Sequence, residues 1–152
     1  MTRDDVMHWV EAYERAWRSE DRDAIELLFT PSARYLRSPY AEPLDGHAAI
    51  QDFWVDEDED GTVFRMQAQP VATEGTDAVV QVKIEYGDPV HQEYLDLWVL
   101  RFADDGRVED FEEWAYWPGR PYAAGLSGAT APSGSAPAPG RRGCGTGAQA
   151  RT

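Results

Sequence analysis

The chain has 152 residues and a formal charge of −14, with 42% hydrophobic and 12% aromatic residues, a length for one domain with enough apolar bulk for a packed core. Residues 119–152 hold four arginines and no acid, which leaves −18 on residues 1–118 and argues against nucleic acid and anionic membrane surfaces, partners that need a basic footprint. A single cysteine, Cys144, excludes an intrachain disulfide, and with no apolar leader after Met1-Thr2-Arg3-Asp4-Asp5 and no apolar run long enough to span a bilayer, the expectation is a cytoplasmic protein.

Thr2 is a candidate N-cap, and Asp4 and Asp5 suit the positive end of a helix dipole. Val6, Trp9, Val10, Tyr13, Ala16 and Trp17 recur at helical spacing, so a first helix is predicted to about Arg18. Trp9, Tyr13 and Trp17 stand four apart on one stripe, where they either fill a core or floor a cavity. A second helix is predicted over Arg22–Phe29, capped by Ser19 or Asp21, with Ile25, Leu28 and Phe29 inward. Thr30-Pro31 ends it. Ala33–Arg37 reads as a short strand and Ser38–Leu44 as a loop with Pro39 and Pro43. Asp45 and Gly46 open a third helix, Gly46–Trp54.

Asp56, Asp58, Asp60 and Gly61 match the start of a calcium loop. Gln67 stands where the bidentate Glu belongs, and a strand is predicted to follow, so the run is read as a solvated acidic loop. His8, His47 and His91 share no close spacing, and no metal site is expected. His47 is expected in solvent.

Four strands follow. Thr62–Thr73 alternates Phe64, Met66 and Ala68 against Arg65, Gln67 and Gln69. Asp77–Tyr86 turns Ala78, Val80, Val82, Ile84 and Tyr86 inward. His91–Phe102 sets Tyr94, Asp96, Trp98, Leu100 and Phe102 on one face; Leu95, Leu97, Val99 and Arg101 take the other. Asp104-Asp105-Gly106 turns the chain, and Val108–Trp117 returns with Phe111, Glu113, Ala115 and Trp117 on one face. Helices first and antiparallel strands after predict an α+β fold, with helices packed on one face of a curved sheet. Gly119–Thr152 is rich in Gly, Ala, Pro and Ser without periodicity and is read as a disordered tail to a 1–118 domain.

Asp96 and Glu113 are the unusual residues. Each is a carboxylate on an apolar or aromatic strand face, and burial of such a group costs free energy unless it is paired, protonated or used. Two carboxyls in one low-dielectric cleft drive their proton affinities apart, so one can serve as acid and the other as base. Tyr13, Tyr35 and Tyr94 are candidate donors to a substrate oxygen. The alternative is structural: both acids tied to Arg34, Arg37, Arg101 or tyrosine hydroxyls. Both acids within hydrogen-bond reach of arginines and away from a cavity would remove the base; at least one acid facing an open pocket with no cationic partner would keep it. There is no G-x-S-x-G, phosphate loop or C-x-x-C, and no cofactor is expected.

The ordered set Trp9-x-x-x-Tyr13-x-x-x-Trp17, Asp23-Ala24-Ile25-x-x-Leu28-Phe29, Pro39 to Gly46 with Ala48-Ala49-Ile50, Leu97–Phe102, Asp105-Gly106-Arg107-Val108 and Trp114 resembles the nuclear transport factor 2-like superfamily. Its SnoaL-like and ketosteroid-isomerase-like branch is nearest, over about residues 5–118. The resemblance implies a cone of three helices closed by a strongly curved, mainly antiparallel sheet around a deep apolar pocket. It also implies pairing of two copies through the outer sheet face, here Leu95, Leu97, Val99, Trp114 and Tyr116, so a homodimer is expected. The ketosteroid-isomerase base position falls near Ser38, which cannot abstract a proton alone, and the position of the proton-donating Asp falls at Trp98, two residues past Asp96. The expected function is therefore an acid–base isomerase, cyclase or dehydratase acting on a small hydrophobic molecule. Asp96 and Glu113 would be its catalytic pair, and Trp9, Tyr13, Trp17, Tyr35, Trp54, Tyr94, Trp98 and Phe111 its pocket. The alternative is a non-catalytic ligand-binding or dimeric interaction module with structural carboxylates.

Overall fold

In the computed structural model, which describes residues 1–54 and 63–119, helix α1 covers Arg3–Ser19. Thr2 Oγ1 accepts the Asp5 N–H at 3.2 Å and the Asp5 carboxylate accepts the Thr2 N–H at 2.7 Å, a reciprocal cap that satisfies two donors at the helix start. Val6, Trp9, Val10, Tyr13 and Ala16 form its buried stripe. Trp17 is only partly buried and stacks on Phe64 at 4.2 Å.

The second helix is shorter than the expected Arg22–Phe29. Only Ile25–Leu28 is helical (α2), and Phe29 already has extended dihedrals. Asp21 Oδ1 accepts the N–H groups of Asp23 and Ala24, so these residues spend their donors in a turn. Strand β1 then runs Phe29–Leu36, four residues earlier than its expected start, because Phe29 pairs with Val108 on the last strand. Pro31 is tolerated where the β1–β6 register is irregular and β2 does not reach. Strand β2 is only Leu44–Asp45 and pairs with Tyr35 and Arg34. Gly46 turns it into helix α3, Gly46–Trp54, at φ +79°; a Cβ there would stand 3.1 Å from the Pro31 carbonyl oxygen.

Strands β3 (Phe64–Glu74), β4 (Asp77–Tyr86), β5 (Gln92–Phe102) and β6 (Val108–Tyr116) form an antiparallel meander. β1 lies parallel to β6, giving the order β2-β1-β6-β5-β4-β3. Helices pack on the inner face of this curved sheet, the α+β architecture expected. Inner positions of β4, β5 and β6 alternate buried as predicted, from Ala78 through Ala115. On the outer face Leu95, Leu97, Val99 and Trp114 stay exposed, Leu95 by 49%. The Asp56–Asp60 calcium motif and the 120–152 tail lie outside the described residues. No helix among the described residues is long and apolar enough to cross a membrane.

Candidate functional site

Across β5 and β6, Asp96 pairs with Ala115 and Trp98 with Glu113. The two acids are therefore diagonal neighbours on the inner face. Both are sealed, Asp96 at 2% exposure and Glu113 at 1%. Burial pushes the Asp96 carboxyl up to about 7, although the Glu113 carboxyl, the Tyr116 backbone N–H and the Trp98 indole pull it back toward the ordinary range. Burial pushes Glu113 well above the ordinary carboxylate value, and the charge of Asp96 adds to it. The pair thus holds a proton at neutral pH, and Glu113 is its neutral member. Trp98 Nε1, Asp96 Oδ1 and Glu113 Oε2 are each buried with no hydrogen-bond partner among the described residues; the indole lies near the acids without alignment good enough for a bond.

The arginines named as alternative partners of the pair are elsewhere. Arg34 lies 3.9 Å from Asp45 and 3.7 Å from Asp110. Arg101 contacts Asp77 at 2.9 Å and Asp110 at 3.7 Å. Arg37 places its guanidinium 5.1 Å over the Phe53 ring. Strand alternation carried this information: Arg34 sits between inward Ala33 and Tyr35, and Arg101 between inward Leu100 and Phe102, so both point outward. Arg37, just past the end of β1 at Leu36, is half-buried and is the candidate arginine that makes no ion pair among the described residues.

Aromatic rings pack around the acids. Trp98 lies 5.0 Å from Tyr13 and 5.3 Å from Phe111. Phe111 stacks on Tyr13 at 5.8 Å and on Tyr35 at 4.4 Å. The Tyr13 and Tyr35 hydroxyls bond each other at 3.1 Å, and burial lifts both phenols well above the usual tyrosine value. Burial, then the charges of Asp96 and Glu113, push Tyr94 up to about 12. Trp9 Nε1 donates to the Leu28 carbonyl at 2.9 Å, which ties α1 to the end of α2. Trp54 meets Tyr13 edge to face at 5.0 Å. Trp17, on Phe64, is at the margin of this cluster.

A cavity of about 400 Å³ lies at the end of β4, β5 and β6, lined by Lys83, Glu93, Tyr94, Leu95, Tyr116, Trp117 and Pro118. Of the residues proposed for the site it touches Tyr94; neither Asp96 nor Glu113 lines it, so the expected acid facing an open pocket is not found at this cavity. His47 is half-buried, with Nε2 2.9 Å from the Phe29 carbonyl oxygen, rather than in solvent as expected, because α3 packs on β1. Among the described residues no group of three His, Cys, Asp or Glu could hold a metal ion.

Helices on the inner face of a curved sheet, with acids set among the rings between them, define an α+β cone. The sequence profile of the SnoaL-like domain matches residues 10–111. The chain belongs to the SnoaL-like family, within the nuclear transport factor 2-like fold. Similar solved structures agree on the fold. An LEH-like epoxide hydrolase of M. tuberculosis shares 15% identity over 74% of this chain and 84% of its own, with a TM-score of 0.58. An NTF-2 like protein of Burkholderia xenovorans LB400 shares 16% over 79% and 89%, with a TM-score of 0.60. A Δ5-3-ketosteroid isomerase of Mycobacterium sp. shares 15% over 74% and 98%, with a TM-score of 0.57. No curated protein matches the sequence significantly.

Proposed function

We propose that this protein binds a small hydrophobic molecule inside the cone and moves a proton on it with the Asp96–Glu113 pair, in a cofactor-independent reaction of the isomerase, cyclase or dehydratase kind. The observation that carries this reading is two carboxyls sealed side by side on β5 and β6, Asp96 and Glu113, with no cation beside them among the described residues. Neutral Glu113 can donate to a substrate oxygen as charge develops there. Asp96, ionised above about pH 7, can take a proton from carbon. The unpartnered Trp98 N–H offers a second donor to the same oxygen. Trp9, Tyr13, Trp17, Tyr35, Trp54, Tyr94 and Phe111 supply the aromatic surroundings. Epoxide hydrolases and ketosteroid isomerases on the same fold make proton chemistry a reasonable class, though fold alone does not choose it. The outer face, with Leu95, Leu97, Val99, Trp114 and Tyr116, suits a second copy of the chain. The lone cysteine suits a reducing cytoplasm.

The test begins with ligand retention: purify the protein, denature it and identify any released small molecule by mass spectrometry. That molecule is then incubated with protein in D2O. Deuterium entering carbon with the wild type and not with Glu113→Gln or Asp96→Asn supports catalysis. Retention with no exchange selects the second reading, a ligand-binding module. The Tyr13–Tyr35 hydrogen bond and the Phe111 stacks satisfy these rings without a ligand, which favours a non-catalytic role with structural carboxylates over proton transfer. Neither retention nor exchange overturns both.

A further inference from the structure

Arg37 is a half-buried cation that stands apart from the carboxyl pair. The body of the chain is strongly acidic, and Arg18, Arg22, Arg34, Arg101 and Arg107 each pair with a carboxylate. Arg37 has no ion pair among the described residues. Its guanidinium instead lies 5.1 Å over the Phe53 ring, and its Nε is sealed from solvent without a hydrogen-bond partner. The parallel β1–β6 register runs Arg34↔Asp110, Tyr35↔Phe111, Leu36↔Glu112, so the chain leaves β1 at Arg37 level with Glu113. Phe53 also meets Tyr35 at 5.7 Å, so Arg37 stands beside the ring cluster and not on open surface.

We propose that Arg37 receives the carboxylate of an amphiphilic ligand, and that the molecules this cone takes are hydrophobic carboxylic acids. The proposal rests on the reading that the cone binds a small hydrophobic molecule, and narrows it. A place over the Phe53 ring gives the guanidinium charge a partner that uses none of its N–H donors. The edge that carries Nε presents parallel donors, the geometry a carboxylate meets with both oxygens. A buried Nε–H with no acceptor is a donor awaiting one. The surrounding charge disfavours a dianion such as a phosphate monoester, whereas a single guanidinium balances a single carboxylate. Because Arg37 is spent on Phe53 and not on Glu113, the carboxyl pair keeps its proton while the ligand's acid group is held at the same level of the sheet.

The experiment titrates the full chain with decanoate and, separately, with decan-1-ol, a neutral chain of the same length, by calorimetry. The wild type is expected to bind decanoate about tenfold more tightly than decanol. Arg37→Gln is expected to lose that advantage while its decanol affinity stays within about twofold, and Arg37→Lys, which keeps charge but not the planar edge, to retain part of it. Equal affinity for the two probes in the wild type, or a decanoate preference that survives in Arg37→Gln, overturns the proposal and leaves the hydrophobic-pocket reading standing. Binding of neither probe overturns both. A thermal melt of each variant checks folding, and Arg37→Lys supplies the comparison if Arg37→Gln fails to fold.

Discussion

Trp98 and Glu113 occupy one register pair of β5 and β6, and the indole Nε1 and a carboxyl oxygen of that pair are both buried without a hydrogen-bond partner among the described residues. A buried orphan donor or acceptor costs about 1–3 kcal/mol, so two in one pair make a locally destabilised spot that a bound oxygen would relieve. Trp98→Phe removes the donor and keeps most of the ring. Its stability is expected within about 1 kcal/mol of wild type, while retention of the co-purified molecule falls several-fold. Trp98→Ala is expected to weaken retention too, but at about 3–5 kcal/mol of stability, so Phe is the cleaner substitution. Unchanged retention in Trp98→Phe would take the indole N–H out of ligand binding.

The proton on the pair has a direct spectroscopic consequence. At pH 7 the infrared spectrum of the wild type is expected to show the stretch of protonated carboxyl, and Glu113→Gln to lose the Glu113 share of that band while Asp96, raised to about 7, keeps a weaker one. A wild-type spectrum with ionised carboxylates only would mean that both acids are solvated.

Stability should follow the same proton. The folded chain holds the Asp96 proton up to about pH 7, whereas an unfolded chain releases it near the ordinary value of 3.8. The unfolded state therefore binds fewer protons in that window, and the free energy of unfolding falls as pH rises through it. Glu113, raised further, extends the fall to higher pH. The exposed carboxylates Asp5, Glu85 and Asp105 have lowered values and act in the opposite sense, but only in the acid range below the ordinary carboxylate values. The melting temperature is expected to drop by several degrees from pH 5 to pH 8 in the wild type, and by less in Glu113→Gln. Parallel curves for the two proteins would show that the pair does not titrate with folding.

Much of this site could be read from period alone. Alternation on β5 and β6 places Asp96 and Glu113 inward and Arg101 outward without knowledge of any contact. The extent of α2 could not be read that way. Ile25, Leu28 and Phe29 satisfy a helical spacing, and what ends the helix is the pairing of Phe29 with Val108, 79 residues away in sequence. Tertiary pairing overrides local preference at such boundaries. The fate of Arg37 was hidden for the same reason. Strand β1 stops at Leu36, one residue short of Arg37, and the place of Arg37 over Phe53 depends on where α3 settles against β1.

The Tyr13–Tyr35 hydroxyl contact links α1 to β1 inside the ring cluster at 3.1 Å. Tyr13→Phe or Tyr35→Phe leaves the other hydroxyl buried and unpaired, at an expected cost of about 1–3 kcal/mol. The double substitution removes both polar groups, so it is expected to cost less than the two singles added together. Urea denaturation of the four proteins closes the cycle. Additive losses would mean that each hydroxyl has another partner.

Dimerisation can be tested at Leu97 and Trp114, which face each other across β5 and β6 on the outer side of the sheet and are exposed by 37% and 39%. Leu95 and Val99 extend the apolar row on the same face. Trp114 Nε1 bonds Glu112 at 2.9 Å, so its indole already has a hydrogen-bond partner at its polar edge and can offer its ring to a neighbour. We propose that a second copy covers this row. An arginine at either position would bring two like charges together across a two-fold axis in an apolar contact. Leu97→Arg and Trp114→Arg are each expected to sediment as monomers with unchanged circular dichroism, while the wild type sediments as a dimer. A wild type that is monomeric across the accessible concentration range would leave this row open for a different partner.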